Sequence, residues 1–305
     1  MQVGVHLLLF LVQVLFASLA ISGKIVLREF PAGAIVLFRV VGAAIVLLLV
    51  NLIWNRRWVR DPRDLLALAV LGLLGIVVNQ TLFLMGLART TAINATILVT
   101  TIPIFTVLYS VLSRREPTST LKFAGIAIAG LGALYLIGPD RLSLAPDLAV
   151  GNLLIVVAMF CYALYLVHSK ALVMRLGSVT VSAYVMLFSA LGTLPLGLSG
   201  LATVDLAAVR PVTWAWVAYI VVFPTIVAYF LNIWALRRVS PNLVAGYIYL
   251  QPVFTALVAP AVLEGERVTT RAAVAGLTIF VGLALVIYGE ARQHRELPAE
   301  SMPGE

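Results

Sequence analysis

The sequence predicts an all-α integral membrane protein, with ten transmembrane helices arranged as two inverted five-helix repeats. Three observations carry this: the scarcity of charge, the spacing of the charges that remain, and a segment repeated in the two halves. The 305 residues hold 21 Lys or Arg and 13 Asp or Glu, which is 11% of the chain. A soluble domain carries roughly 25%. With 62% apolar residues and a mean hydropathy of +1.07, too few charges remain to cover a water-facing surface. The composition excludes a water-soluble enzyme, a disordered chain and a disulfide scaffold, since Cys161 has no second cysteine to pair with.

Ten stretches of 16 or more residues contain no Asp, Glu, Lys or Arg: 1–23, 40–55, 65–88, 90–113, 123–139, 148–169, 176–204, 211–236, 239–263 and 272–289. A helix needs roughly 20 apolar residues to cross the hydrocarbon core. Barrel strands alternate apolar and polar side chains, whereas runs such as AAIVLLL at 43–49 do not. In lipid the backbone must satisfy its own hydrogen bonds, so these stretches are helices.

Taken in order, the first stretch lacks a basic n-region, because the first Lys or Arg is Lys24. It reads as a retained helix and not as a signal peptide. The second reaches spanning length only if it extends back to about Pro31 with Arg39 inside it. Arg39 then either meets a substrate carboxylate or an outward-closed state, or snorkels to the outer interface. The third carries Asn79-Gln80-Thr81, and the fourth Asn94, Thr96, Thr100, Thr101 and Pro103. The fifth has Gly125, Ala129 and Ala133 every four residues, a spacing that permits close helix packing. The sixth holds Tyr162 and Tyr165 and ends near His168, which reads as an interfacial histidine or a proton relay. Pro195 lies in the seventh, and Pro224, Tyr229 and Asn232 in the eighth. The ninth holds Tyr247, Tyr249, Gln251, Pro252 and Pro260, and the tenth is studded with Gly276, Gly282 and Gly289. Glu116 and Glu266 precede the fifth and tenth helices as N-terminal caps.

An even number of spans puts both termini on one side. With cytoplasmic termini, inside loops hold 13 basic residues and outside loops 7, with Arg39 in the membrane. The positive-inside rule favours this orientation. The densest cluster is NRRWVRDPRD at 55–64. The net charge of +8 therefore reports topology; no basic run sits in a soluble region large enough to bind nucleic acid.

Residues 87–108 and 236–257 align at an offset of 149, with identities Leu87/Leu236, Arg89/Arg238, Pro103/Pro252, Phe105/Phe254, Thr106/Thr255 and Leu108/Leu257. Near the start of each half Lys24 matches Lys170 at an offset of 146, placing Phe16 opposite Tyr162. The chain divides into residues 1–139 and 148–290, joined by DRLSLAPD at 140–147 and followed by a cytoplasmic tail at 291–305. Because five is odd, the second unit enters the membrane inverted. Inverted repeats recur in secondary transporters, with the substrate site near the midplane between them.

The repeat unit resembles the EamA family of the drug/metabolite transporter superfamily. The residues that carry the resemblance are the prolines of Thr101-Ile102-Pro103-Ile104-Phe105 and Leu250-Gln251-Pro252-Val253-Phe254, the Glu that follows each (Glu116, Glu266), and the Gly-rich last helices. It covers nearly the whole chain. It implies a multi-pass permease of the bacterial inner membrane, often an exporter of amino acids or other small metabolites. It also implies a central cavity lined by helices 1, 3, 4, 6, 8 and 9. In one respect the chain departs from the superfamily, whose four-helix multidrug members carry an acid in their first helix. Here none of the 13 acids lies inside a span. A cation in a low-dielectric cavity needs a counter-charge, so neutral, zwitterionic or anionic substrates fit better.

The expected substrate-binding residues are Arg39, Asn79, Gln80, Asn94, Thr101, Tyr162, Tyr229, Asn232, Tyr249 and Gln251. Buried amides offer donors and acceptors, and aromatic walls suit an apolar side chain. Pro103 and Pro252 act as hinges, or as static packing kinks. No metal and no cofactor is expected: three His residues, no HExxH and no Walker motif are present. The partners are a small-molecule substrate and the lipid bilayer, with the chain a monomer or homodimer. An intramembrane enzyme and a channel-like facilitator are the alternatives, but no catalytic constellation and no charged ring or filter loop is visible.

Overall fold

The computed structural model describes residues 2–113, 119–137, 146–263 and 270–296, and every regular element among them is helical. Helix α1 spans Gln2–Val26 and α2 Ala32–Val50, prolonged by a π-helical turn at Asn51–Asn55. α3 (Pro62–Gly72) runs through a π turn at Leu73–Val78 into α4 (Asn79–Arg89). α5 (Ala92–Val99) and α6 (Thr101–Leu112) are separated by a break at Thr100, and α7 covers Thr120–Ile137. Then come α8 (Pro146–Leu176), α9 (Ser178–Leu201) and α10 (Pro211–Val221). α10 continues through a π turn at Val222–Val227 into α11 (Ala228–Leu236). α12 (Pro241–Gly246) passes through a 3-10 turn at Tyr247–Leu250 into α13 (Gln251–Val262), and α14 is Thr270–Glu296.

Among the described residues seven segments are long and apolar enough to cross a membrane: Gly4–Val26, Ala32–Asn55, Pro62–Arg89, Val150–Leu176, Ser178–Leu201, Pro211–Leu236 and Pro241–Val262. Three shorter apolar helices cover Ala95–Ser110, Thr120–Gly132 and Gly276–Val286. Large apolar side chains such as Ile45, Leu66, Leu153 and Leu277 are more than half exposed. A face of this kind is stable only against hydrocarbon, so the protein is a multi-pass membrane protein.

The helix ends follow local chemistry. Proline opens α3, α10 and α12, where a missing N–H costs no hydrogen bond. Asp61 accepts from the Arg63 N–H at 2.9 Å and Ser240 from the Leu243 N–H at 3.1 Å. Gly177, at φ 84°, makes the corner between α8 and α9. α8 runs on to Leu176, so His168, expected near the inner end of its span, lies two turns inside it and bonds the Tyr109 hydroxyl at 2.7 Å. Glu116, Glu266 and the 140–145 part of the join lie outside the described residues.

Two pairs of helices approach backbone to backbone. On α2 and α9, a Cβ on Gly33 would sit 2.7 Å from the Leu196 carbonyl oxygen, and one on Gly197 2.5 Å from the Leu37 Cβ. On α7 and α14, a Cβ on Gly125 would lie 2.6 Å from the Gly282 oxygen, and one on Gly282 2.6 Å from the Ala129 nitrogen. The small-residue stripe of the fifth span is thus a packing face against α14; the Ala133 side chain lies outside the described residues. Between these outer pairs, α1 packs on α11 and α13, while α8 packs on α4 and α6.

Candidate functional site

A cavity of about 60 Å3 lies at the centre of the bundle, room for a few waters. Its wall includes seven of the expected binding residues: Arg39, Asn79, Gln80, Tyr162, Tyr229, Asn232 and Gln251. Three expected residues are not placed there. Thr101 is half-buried beside the helix break and donates to the Leu98 carbonyl at 2.7 Å. Tyr249 is fully buried but faces α7, donating to the Ile126 carbonyl at 3.2 Å. The Asn94 side chain lies outside the described residues.

The structure separates the two readings of Arg39. The residue does not snorkel: its side chain is 1% exposed and turns into the cavity wall. Its Nε donates to the Thr225 hydroxyl at 2.9 Å, while Nη1 and Nη2 are buried without a partner.

The other polar groups bond one another across helices. Gln80 Nε2 donates to the Tyr229 hydroxyl at 3.1 Å, and Asn232 Nδ2 to the Tyr162 hydroxyl at 3.0 Å. Gln251 Nε2 donates to Gln13 Oε1 at 2.7 Å, and Asn79 Nδ2 to the Ala158 carbonyl at 2.7 Å. Each bond joins two different helices and pairs an amide N–H that would otherwise be costly to bury. Phe16 stands edge-on to Tyr229 with centroids 5.3 Å apart, and Tyr162 edge-on to the same ring at 6.4 Å. The wall is therefore mostly apolar, aromatic and aliphatic, and carries a set of amides, two tyrosine hydroxyls and the Arg39 guanidinium.

Irregular backbone positions these groups. The π turn at Leu73–Val78 directly precedes Asn79 and Gln80, and the one at Val222–Val227 directly precedes Ala228 and Tyr229. Each re-aims the next helical turn toward the cavity, as π turns at functional sites commonly do. Gly75 in the first allows Tyr165 to lie against the backbone; a Cβ there would fall 2.3 Å from the Tyr165 ring. Pro224 in the second has no N–H for the Ile220 carbonyl, and the Thr225 hydroxyl donates to that carbonyl at 2.8 Å. The same hydroxyl oxygen accepts from Arg39, so the kink and the guanidinium share one side chain. Pro103 and Pro252 lie just after the break at Thr100 and the 3-10 turn at Tyr247–Leu250. They withhold donors from the carbonyls of Val99 and Ile248, and both residues line the cavity.

Beyond the cavity an ion pair stands at each end. Glu29, after α1, accepts from the Arg210 guanidinium, from the Arg210 N–H at 3.0 Å and from the Thr213 hydroxyl at 2.9 Å. Burial by itself would raise its carboxyl pKa; the Arg210 backbone and side chain and Thr213 outweigh this and hold it below the ordinary value. At the other end Arg175, near the end of α8, pairs with Asp64 in the first turn of α3.

Two contributors escaped the sequence reading. Gln13 was legible as an amide in the middle of an apolar span. Thr225 was not, because its role depends on the carbonyl that Pro224 leaves free and on an arginine 186 residues away.

Residues 4–138 and 149–288 each match the EamA-like transporter family. A protein of Archaeoglobus fulgidus named as an uncharacterized transporter is 28% identical, the match covering 95% of this chain and 98% of that protein. YetK of Bacillus subtilis, also named as an uncharacterized transporter, is 24% identical over 94% of this chain and 86% of its own length. YedA of Escherichia coli, named as an uncharacterized inner membrane transporter, is 28% identical over 81% of this chain and 79% of its own. A solved crystal structure superposes with a TM-score of 0.76 at 18% identity, covering 96% of this chain and all of that one, and so shares its fold.

Proposed function

The chain belongs to the EamA-like transporter family, and on that premise we propose a secondary transporter that carries a small metabolite, such as an amino acid, through the central cavity by alternating access. The three shorter apolar helices also cross the bilayer, giving ten spans in two inverted units, residues 1–139 and 148–290. Both termini and the tail at 291–305 face the cytoplasm, in keeping with the 13-to-7 division of basic residues. Export is the direction that the family resemblance favours, and the bacterial inner membrane is the site.

The observation that carries this reading is the make-up of the cavity wall. Of its 16 residues, 12 form pairs at the repeat offsets. Gln13/Met159 and Phe16/Tyr162 are 146 apart; Gln80/Tyr229, Phe83/Asn232, Val99/Ile248 and Ile102/Gln251 are 149 apart. The hydrogen bond from Gln80 to Tyr229 joins one such pair directly. Both π turns obey the same offset, starting at Leu73 and Val222. So do the ends: Glu29 and Arg175 are 146 apart, and their partners Thr213 and Asp64 are 149 apart. These paired lining residues and related ties at both ends support a cavity on a pseudo-two-fold axis in the membrane plane, an arrangement that permits alternating access.

In this state both ties are made and the cavity has room for only a few waters. It is a closed state. Substrate enters when one tie breaks and leaves when the other does, with the broken helices at Pro103 and Pro252 as the pivots. Arg39, Asn79, Gln80, Tyr162, Tyr229, Asn232 and Gln251 bind the substrate, joined by Asn94 on the same helix as the first break. Thr101 and Tyr249 hold the helices around it.

The test is flux into proteoliposomes against a panel of amino acids, amines and sugars. The expected result is saturable, competable flux that Gln80→Ala or Tyr229→Ala weakens while membrane insertion stays normal. No flux for any solute, together with turnover of a lipid or peptide, overturns the proposal.

A further inference from the structure

We infer that the cavity selects a small organic carboxylate of net negative charge, held end-on by Nη1 and Nη2 of Arg39; the inference rests on the transporter reading above. A guanidinium stays protonated in a protein. Burying it costs several kcal/mol unless it is paired. Arg39 lies eight residues into α2, roughly 10 Å along the helix, and it is 1% exposed. The acids whose side chains are described are Glu29, Asp61, Asp64 and Asp205, each at or beyond a helix end, and none lines the cavity. Among the described residues none supplies the counter-charge, and a ligand can bring it.

The geometry narrows what that ligand is. Thr225 takes Nε, so the remaining donors are the two Nη groups, which present parallel N–H bonds to one planar acceptor. Two carboxylate oxygens match that fork. Gln80 Oε1, also on the wall, is buried without a partner and accepts one donor, such as a hydroxyl. Phe16, Phe83, Met159 and Ile248 supply apolar surface for a short alkyl or aryl body. A primary amine meets the like charge of Arg39 and only neutral acceptors such as Gln80 Oε1. The ammonium of a zwitterion finds neutral acceptors and, among the described residues, no acid, so an amino acid binds more weakly than its desamino analogue. Arg39 has no cavity-lining counterpart at the repeat offsets, which makes it the element that gives a pseudo-symmetric site a charge preference.

The experiment uses the full chain and four ligands of one skeleton: isocaproate, isocaproamide, leucine and isoamylamine. Thermal stabilisation in detergent and counterflow in proteoliposomes rank them. Isocaproate is expected first, isocaproamide about 10- to 100-fold weaker for loss of the charge-assisted bonds, leucine between them, and isoamylamine without effect. Arg39→Lys keeps the charge but loses the fork, and is expected to weaken isocaproate by about tenfold or more. Thr225→Ser should keep the parent's ranking, whereas Thr225→Val should narrow the gap between isocaproate and its amide. The ranking on the unaltered protein stands even if an Arg39 variant fails to fold. Equal or better binding of the amide or the amine overturns the inference, as does stabilisation by chloride that no carboxylate displaces. Saturable flux of neutral or cationic solutes without any carboxylate effect removes the anion assignment and leaves the transporter intact. No flux of any solute removes both.

Discussion

Glu29→Gln and Asp64→Asn should bias the transporter in opposite directions. Glu29 ties the turn after α1 to the start of α10; Asp64 ties the start of α3 to the end of α8. Both arginines keep 60% of their side chains exposed, while the acids keep 18% (Glu29) and 10% (Asp64). Ion pairs this well solvated shift an equilibrium by less than about fivefold. Glu29 also accepts a backbone N–H and a hydroxyl, so its tie is the stronger of the two. Glu29→Gln should therefore raise the population open on its own face by roughly two- to fivefold, and Asp64→Asn that open on the other face by roughly twofold. The assay is a single cysteine in the cavity wall, Phe83→Cys in a Cys161→Ala background, labelled by impermeant thiol reagents from either side of oriented vesicles. The two variants should move the ratio of labelling rates in opposite senses. The double variant should fall back toward the parent, and high salt should shrink every difference. Two variants that raise labelling from the same side would refute the reasoning, as would a double variant that keeps the full bias of either single one.

Other expectations follow from the same contacts. Gly75→Ala places a methyl 2.3 Å from the Tyr165 ring and should cost about 1–3 kcal/mol or more; a variant that melts with the parent contradicts the packing. Gly282→Val meets the backbone of α7 at 2.6 Å and should lower the melting temperature while apparent ligand affinity holds, because none of the described residues of α14 lines the cavity; a matching loss of affinity would show that the outer pair of helices shapes the site. The lowered pKa of Glu29 means that its tie is intact above the ordinary carboxylate value and lost as pH falls through the lowered one. Labelling from its face should stay flat down to about pH 5, rise below about pH 4, and lose that rise in Glu29→Gln; a rise already at pH 6 would point to another group.

Much of the membrane architecture is legible in the residue string because lipid enforces it residue by residue. A charge inside hydrocarbon is expensive, so the gaps between charges mark most helices to within about three residues, whereas α2, α8 and α14 run seven or eight residues beyond theirs; Pro and Gly mark where several of them start and turn. Asn79, Gln80, Asn232 and Gln251 stand out for the same reason: an amide in a span needs a partner or a cavity. The criterion cannot tell which face an amide or hydroxyl occupies. Tyr249 and Thr101 met it equally well, yet their hydroxyls go to the Ile126 and Leu98 carbonyls.

Composition and charge spacing thus determined, unaided, that the chain is helical, lies in a membrane and carries no acid in the interior of a charge-free stretch, because each of these is a local cost that every residue meets on its own. Tertiary structure decided that Arg39 turns inward, that Thr225 holds it, that Gln80 meets Tyr229 and that both ends are tied at once. Those outcomes depend on groups 111 to 186 residues apart being packed within a few ångströms. Local periodicity carries no record of which distant helix will supply the partner.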